Sequence, residues 1–424
     1  MSRMRSFVVV MIAAALLSGC TQTNVPATMS APEASPIAQD TVAAVVTLLP
    51  TDPPTADVNE NAEATLTSTP VVTSTSQNVV TNGQRILLPN VSTGNATSAP
   101  ATSPPVLTAP ATATSEPLAR LNLSAQGINV ADYADANLKR IADLKFGWIQ
   151  VFSAPEYPIQ GYKILYRVPL GAAISGQQAD IDAFGEQLEN LARERAGVIN
   201  AYSIGNEVNL AREWGGRPPD PALYTRLLAV AYARIKTGDP EALVISSGIA
   251  PTGGDSAGAM DDLAYARAMF EAGALDVMDA YSFHAYGFAY EPERDPADAQ
   301  TRGLLFRRAE AHRKLMEEFG GANKALWATE FGWIIDANEE GSGCTFDGLD
   351  WQRVSRDKQA AYVVRAYDFA SKNWPWMGPM FLWNYDFSRS PLYPDACEQM
   401  KWFSLLDAQG NERPVLSALR AAAQ

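Results

Sequence analysis

Two glutamates close apolar runs that lie far apart in the chain. In "YSIGNEVN" the run ends at Asn206 and Glu207, and in "ALWATEFGW" it ends at Thr329 and Glu330. Two carboxylates across one pocket are costly to keep ionised together. Burial and repulsion raise one pKa, leaving an acid and a carboxylate near neutral pH. Such a pair can break a glycosidic bond, one group protonating the leaving oxygen while the other attacks the anomeric carbon. This chemistry needs no metal and no cofactor. The Asn206 amide is placed to hold a sugar 2-hydroxyl, and Trp383, at another strand end, offers an aromatic floor for a sugar ring. With only three cysteines and two histidines, His284 and His312, no metal-ligand spacing is present, so a metal site is not expected. His312 lies in the polar stretch "EAHRKL" and is read as solvated, as are Glu339 and Glu340. Trp214, Trp333 and Trp351 follow strand-like runs, where each suits an outer sugar subsite or core packing equally.

This chemistry requires a fold that brings remote carboxylates together. Eight strand-like runs appear: "LSAQGINV", "FGWIQVFS", "KILYRVPL", "INAYSIG", "ALVISSG", "VMDAYSFHAYG", "KALWATEF" and "GPMFLWNYD". Helical patterns lie between them. In one, Ile181, Phe184, Leu188 and Leu191 share a face. In another, Asp220 caps, Pro221 suits the first turn, and Tyr224, Leu227, Leu228, Ala231 and Ile235 form a stripe closed by Gly238. A third, "RRAEAHRKLMEEFGG", ends in glycines. The alternation predicts a (β/α)8 TIM barrel of α/β class. An open doubly wound sheet is the alternative, but "QGINVADY" lacks its glycine-rich phosphate turn. A barrel carries its active site at the carboxyl ends of its strands. Counting puts Glu207 at the end of the fourth strand and Glu330 at the end of the seventh.

The remaining segments set domains and compartment. Arg3 and Arg5 precede an apolar run from Phe7 to Leu17 and then "LLSGC", too short a run to span a bilayer. This start resembles a bacterial lipoprotein signal peptide over residues 1–19, which implies lipidation at Cys20, export, and display at the cell surface or outer face. Residues 20–117 are rich in Thr, Ser, Pro and Ala. Beyond Cys20 they hold no aromatic residue, and Arg85 is their only basic one. Such a segment cannot bury enough apolar area to offset its ordering entropy, so it reads as a disordered tether. Residues 118–424 are expected to form the barrel domain that carries the two glutamates. The net charge of −14 and the pI near 4.7 argue against a nucleic-acid partner. Cys344 and Cys397 remain as an even pair in an oxidising compartment and are expected to form a disulfide at the barrel rim. The oligomeric state is left open.

From Leu118 to the end, "GNEVN" and "ATEFGW" resemble the two signatures of the retaining glycoside hydrolases of clan GH-A. The resemblance implies that Glu207 is the acid/base, Glu330 the nucleophile and Asn206 the 2-hydroxyl ligand. "SFHAYG" resembles the clan's His-x-Tyr pattern, placing His284 in the sugar subsite and Tyr286 against the nucleophile. "FLWNYD" resembles its eighth strand, with Trp383 lining the subsite. Cellulase-like members carry an arginine at the end of the second strand that orients the nucleophile. Here "WIQVF" offers Gln150 instead, and Arg167 on the third strand is a partial substitute. The expected activity is hydrolysis of a β-glycoside with retention, the carboxyl groups lying ~5 Å apart. The substrate is a carbohydrate whose sugar is unassigned. The alternative is a carbohydrate-binding surface lipoprotein on a TIM-barrel scaffold that has lost catalysis.

Overall fold

Eight short apolar strands pair in parallel, each with the next, and the eighth closes onto the first. They are β1 (Gly127–Asn129), β2 (Trp148–Val151), β3 (Lys163–Val168), β4 (Ala201–Ile204), β5 (Leu243–Ile249), β6 (Ala280–Phe283), β7 (Ala325–Phe331) and β8 (Met377–Leu382). This computed structural model describes residues 121–423 apart from Ala257 and Asp347. The expected leader, Cys20 and the tether to residue 117 lie outside the described residues. The helices are α1 (Asp135–Leu138), α2 (Gln178–Glu194), α3 (Pro221–Gly238), α4 (Asp262–Glu271), α5 (Ala309–Glu318), α6 (Arg356–Asn373) and α7 (Pro414–Ala423). The fold is a (β/α)8 barrel, as expected. The alternation breaks once, because β2 and β3 are joined by turns alone.

The helices form where the pattern placed them. In α2, Ile181, Phe184 and Leu188 are buried. In α3, Asp220 Oδ1 accepts from the Leu223 N–H at 2.9 Å, Pro221 opens the helix, and the predicted stripe is buried. His312 corrects the expectation. It is fully buried on the face of α5 that also carries Ala309, Leu315 and Met316. Its Nε2 donates to Asp262 Oδ2 at 2.9 Å, and its Nδ1 accepts from the Tyr281 hydroxyl at 2.8 Å. Lys314 in the same stretch is exposed, but Arg308 one turn earlier joins His312 on Asp262, so local composition misled where helical period decides. Glu340 is a second correction, since buried Arg413 donates to both its oxygens at 2.8 Å.

Inside the barrel, Trp148, Leu165, Ala201, Ile245, Ala280, Trp327 and Phe381 form an apolar floor. Each large side chain there contributes about 1.5–3 kcal/mol by leaving water. Gly127 leaves room for this layer, because a Cβ there would stand 2.3 Å from the Phe381 ring. Above the floor the interior turns polar. Asn129 Nδ2 donates to the Thr329 carbonyl, Gln150 Nε2 to Asn129 Oδ1, and the Ser282 and Thr329 hydroxyls meet at 2.7 Å. Cys344 and Cys397 form the expected disulfide with Cα atoms 5.2 Å apart, tying the loop after β7 to the loop after β8.

Candidate active site

Glu207 leaves β4 through a strained turn. Gly205 has φ +80° and Glu207 itself has φ +42°, a left-handed conformation that costs a non-glycine residue of order 1 kcal/mol or more. The Glu207 N–H donates to the Gly248 carbonyl at 2.9 Å, pinning the turn to β5. Glu330 reaches the interior by another route. Ala328 pairs with Met380 and Phe331 with Leu382, so β7 carries one residue more than β8 over this interval. The extra residue is a β-bulge. Thr329 keeps its place inside against Ser282, Phe331 packs outward on Tyr367 of α6, and Glu330 between them meets the interior residues His284 and Tyr286.

The two glutamates converge. One oxygen of Glu207, a ring nitrogen of His284 and one oxygen of Glu330 lie within 4.8 Å of one another. His284 Nδ1 stands 3.0 Å from Glu207 Oε1 and 3.4 Å from Glu330 Oε2, so the imidazole bridges the carboxylates. The Tyr286 hydroxyl donates to Glu330 Oε2 at 2.6 Å. Arg167 Nη1 lies 3.8 Å from Glu330 Oε1 and donates to Asn206 Oδ1 at 3.3 Å. Its guanidinium also stacks over the Phe152 ring. Arg167 thus occupies the position beside Glu330 for which the second strand offers only Gln150. Trp383 is buried at the same end, edge-on to Phe387 and Phe152. Its peptide bond to Asn384 is cis.

Sequence reasoning missed Arg212 and Glu213, both in the short 3-10 turn Ala211–Trp214. Arg212 Nη2 pairs with Glu207 Oε2, and its Nε lies 3.3 Å from Glu213 Oε1. The signal lay within six residues of Glu207, in "NEVNLAREW". Of the three tryptophans, Trp214 and Trp333 are core residues whose Nε1 groups donate to the Val208 and Tyr290 carbonyls. Trp351 is half-buried and stacks on Phe288.

The electrostatics are asymmetric. Burial alone would raise Glu207, but the Arg212 guanidinium, the His284 hydrogen bond and Arg167 outweigh it and hold the carboxyl below its usual range. Burial raises Glu330, the charge of Glu207 adds to it, and His284, Arg167 and the Tyr286 hydroxyl oppose without cancelling it. Of the two carboxyls, Glu330 therefore takes up a proton first as the pH falls. This is the reverse of an acid at Glu207 and a nucleophile at Glu330. Glu207, His284 and Glu330 are also the one cluster of metal-ligand types found among the described residues. Two guanidiniums already face its carboxylates, which opposes a further cation.

Several buried polar atoms at this end have no hydrogen-bond partner among the described residues: Gln150 Oε1, Arg212 Nε, Glu213 Oε1, Glu330 Oε1 and Trp383 Nε1. Leaving such atoms unpaired is costly, and a cluster mixing donors with acceptors suits a ligand that carries both. Chemically the site can hold a polyhydroxyl ligand and move protons between two carboxyls about one anomeric centre apart.

No family model matches this chain, and no curated protein matches it. Solved structures do. A family 39 glycoside hydrolase from Bacteroides cellulosilyticus WH2 matches with TM-score 0.50 at 19% identity, over 71% of this chain and 63% of that one. A GH128 (subgroup II) endo-beta-1,3-glucanase from Sorangium cellulosum matches with TM-score 0.48 at 17% identity, over 70% of this chain and 98% of that one. A beta-glucuronidase from Bacteroides uniformis matches with TM-score 0.48 at 15% identity, over 71% of this chain and 35% of that one. The chain thus spans under two thirds of the first of these structures, and at such identities the likeness is one of fold.

Proposed function

We propose that this chain is a retaining β-glycoside hydrolase. The observation that carries the reading is the convergence of Glu207 and Glu330 within 4.8 Å at the carboxyl end of the barrel, with Tyr286 donating to Glu330. That bound on one oxygen of each fits the ~5 Å of retaining pairs better than the ~6.5–9.5 Å that lets water attack directly. Glu330 attacks the anomeric carbon and forms a glycosyl-enzyme ester as the bond to the leaving oxygen breaks. Glu207 gives that oxygen its proton, then takes a proton from the incoming water as the ester is hydrolysed. Asn206 holds the 2-hydroxyl, Trp383 lines the sugar subsite, and His284 keeps the two carboxyls in register. The unpaired Gln150 Oε1 and Trp383 Nε1 suit further hydroxyls.

The test is hydrolysis of a panel of nitrophenyl glycosides and plant and bacterial polysaccharides, with the first product anomer read by NMR. Release of the β-anomer from a β-glycoside supports the reading. Release of the α-anomer from a β-glycoside would overturn double displacement. Binding of a sugar with no hydrolysis of any panel member would replace it with the non-catalytic carbohydrate-binding reading. Lipid attachment at Cys20, with display at the cell surface, is a separate proposal from the leader sequence. Mass spectrometry of the mature N-terminus tests it, and an unmodified Cys20 overturns it.

A further inference from the structure

Double displacement leaves Arg212 and Glu213 without a role, although both stand at the reaction centre. Arg212 spans two carboxylates, pairing with Glu207 Oε2 through Nη2 and facing Glu213 Oε1 through Nε at 3.3 Å. Among the described residues neither that Nε nor that Oε1 has a hydrogen-bond partner. The contact with Glu213 is therefore a half-made ion pair beside a fully made one. Side-chain exposure is 26% for Arg212, 13% for Glu213 and 3% for Glu207, so Arg212 is the member with room to move. A guanidinium presents its donors as a rigid fork, and a small swing would convert this arrangement into a two-pronged pair with Glu213.

Resting on the hydrolase reading, we propose that Arg212 is a latch: it pairs with Glu207 in the free protein and passes to Glu213 when a glycoside enters. Glu213 then gives up one proton and Glu207 takes up one while Glu330 stays ionised, so the site's net charge is unchanged. Glu207 becomes the acid that the leaving oxygen needs, and Arg212 and Glu213 are positioning residues. Burial pushes Glu213 up to about 7; Arg212, Arg167 and the Asn206 hydrogen bond oppose this, and the charge of Glu207 adds to it. Glu213 therefore holds a proton to give near neutral pH. Glu207 is faced by Arg212, His284, Arg167 and Glu330, and of these only Arg212 also touches Glu213.

The experiment is an NMR titration of the full chain carrying carboxyl-labelled glutamate, with resonances assigned by Glu207→Gln and Glu213→Gln. We expect the resonance lost in Glu213→Gln to titrate near neutral pH, and the Glu207 midpoint to rise in Arg212→Gln. Turnover supplies a second readout on phenyl and 2,4-dinitrophenyl β-D-glucosides and β-D-xylosides. Only the phenyl leaving group needs a proton, so Glu213→Gln should lose kcat/KM about 100-fold more on the phenyl substrates. Equal losses on both leaving groups, or an unmoved Glu207 midpoint in Arg212→Gln, would overturn the latch with the hydrolase reading intact. The titration needs no turnover, so inactivity of the wild type on every glycoside counts against the hydrolase reading alone.

Discussion

The imidazole of His284 occupies the space that a side chain on Gly248 would fill. A Cβ there would stand 2.0 Å from His284 Nε2 and 2.6 Å from Thr329 Oγ1. The bridge between the two glutamates therefore depends on a residue of β5 that carries no functional group. Gly248→Ala should cost about 1–3 kcal/mol in unfolding free energy, because neither neighbour can retreat within a packed interior. Displacing His284 should also lower kcat/KM by up to about 100-fold. Denaturant unfolding and steady-state kinetics check both; a variant matching wild type in each would show that Gly248 does not set the imidazole.

The glutamates should separate by leaving group. Glu330→Gln removes the attacking oxygen and should lower kcat by about 10⁴-fold or more on every substrate. Glu207→Ala removes only the proton source, so it should retain turnover on dinitrophenyl glycosides while phenyl glycosides become inert. Full activity of Glu207→Ala on both would refute its role.

Tyr286→Phe removes a hydroxyl that donates to Glu330 at 2.6 Å. A hydrogen bond to a charged group is worth about 1.5–3 kcal/mol, so kcat/KM should fall about 10- to 100-fold. The sign of the pH effect follows from the same bond. It stabilises the ionised carboxyl and opposes the rise that burial imposes on Glu330. Without it Glu330 rises further. The nucleophile must be ionised, so the acidic limb of the kcat/KM profile should move to higher pH. A limb that stays in place or moves down would contradict this.

Asp262 is the buried anchor of α4. It accepts from Arg308 Nη2 at 2.7 Å, from His312 Nε2 at 2.9 Å and from the Thr252 hydroxyl at 3.2 Å. Burial raises its carboxyl, but His312 and Arg308 outweigh burial and hold it well below its usual range. Asp262→Asn leaves buried donors without their charge partner and should cost about 3–5 kcal/mol at pH 7. A depressed folded pKa gives stability that is present above the unfolded value and lost as pH falls below it. The wild-type advantage should therefore shrink as pH drops from about 4. Urea unfolding at pH 7 and pH 3 tests this, and a constant difference would sink it.

The sequence by itself determined the barrel and its two remote glutamates. Strand and helix periods are local, and each apolar run contains or overlaps one strand of the barrel and ends within four residues of it, so counting placed Glu207 and Glu330 at one rim. The cysteine pair was legible for the same reason, being the two left over in the barrel. Tertiary structure decided what surrounds those groups. His284 joins the glutamates because the path of β5 and β6 brings Gly248 under it. Glu330 faces inward because of a one-residue bulge against β8, which no pattern along β7 announces. Arg212 and Glu213 share a short turn, and only the folded chain makes one of them the partner of Glu207. His312 looked solvated among charged neighbours, yet it is buried because its partners Asp262 and Tyr281 come from other elements. Side-chain period is written along the chain; electrostatic partners are set by distances across it.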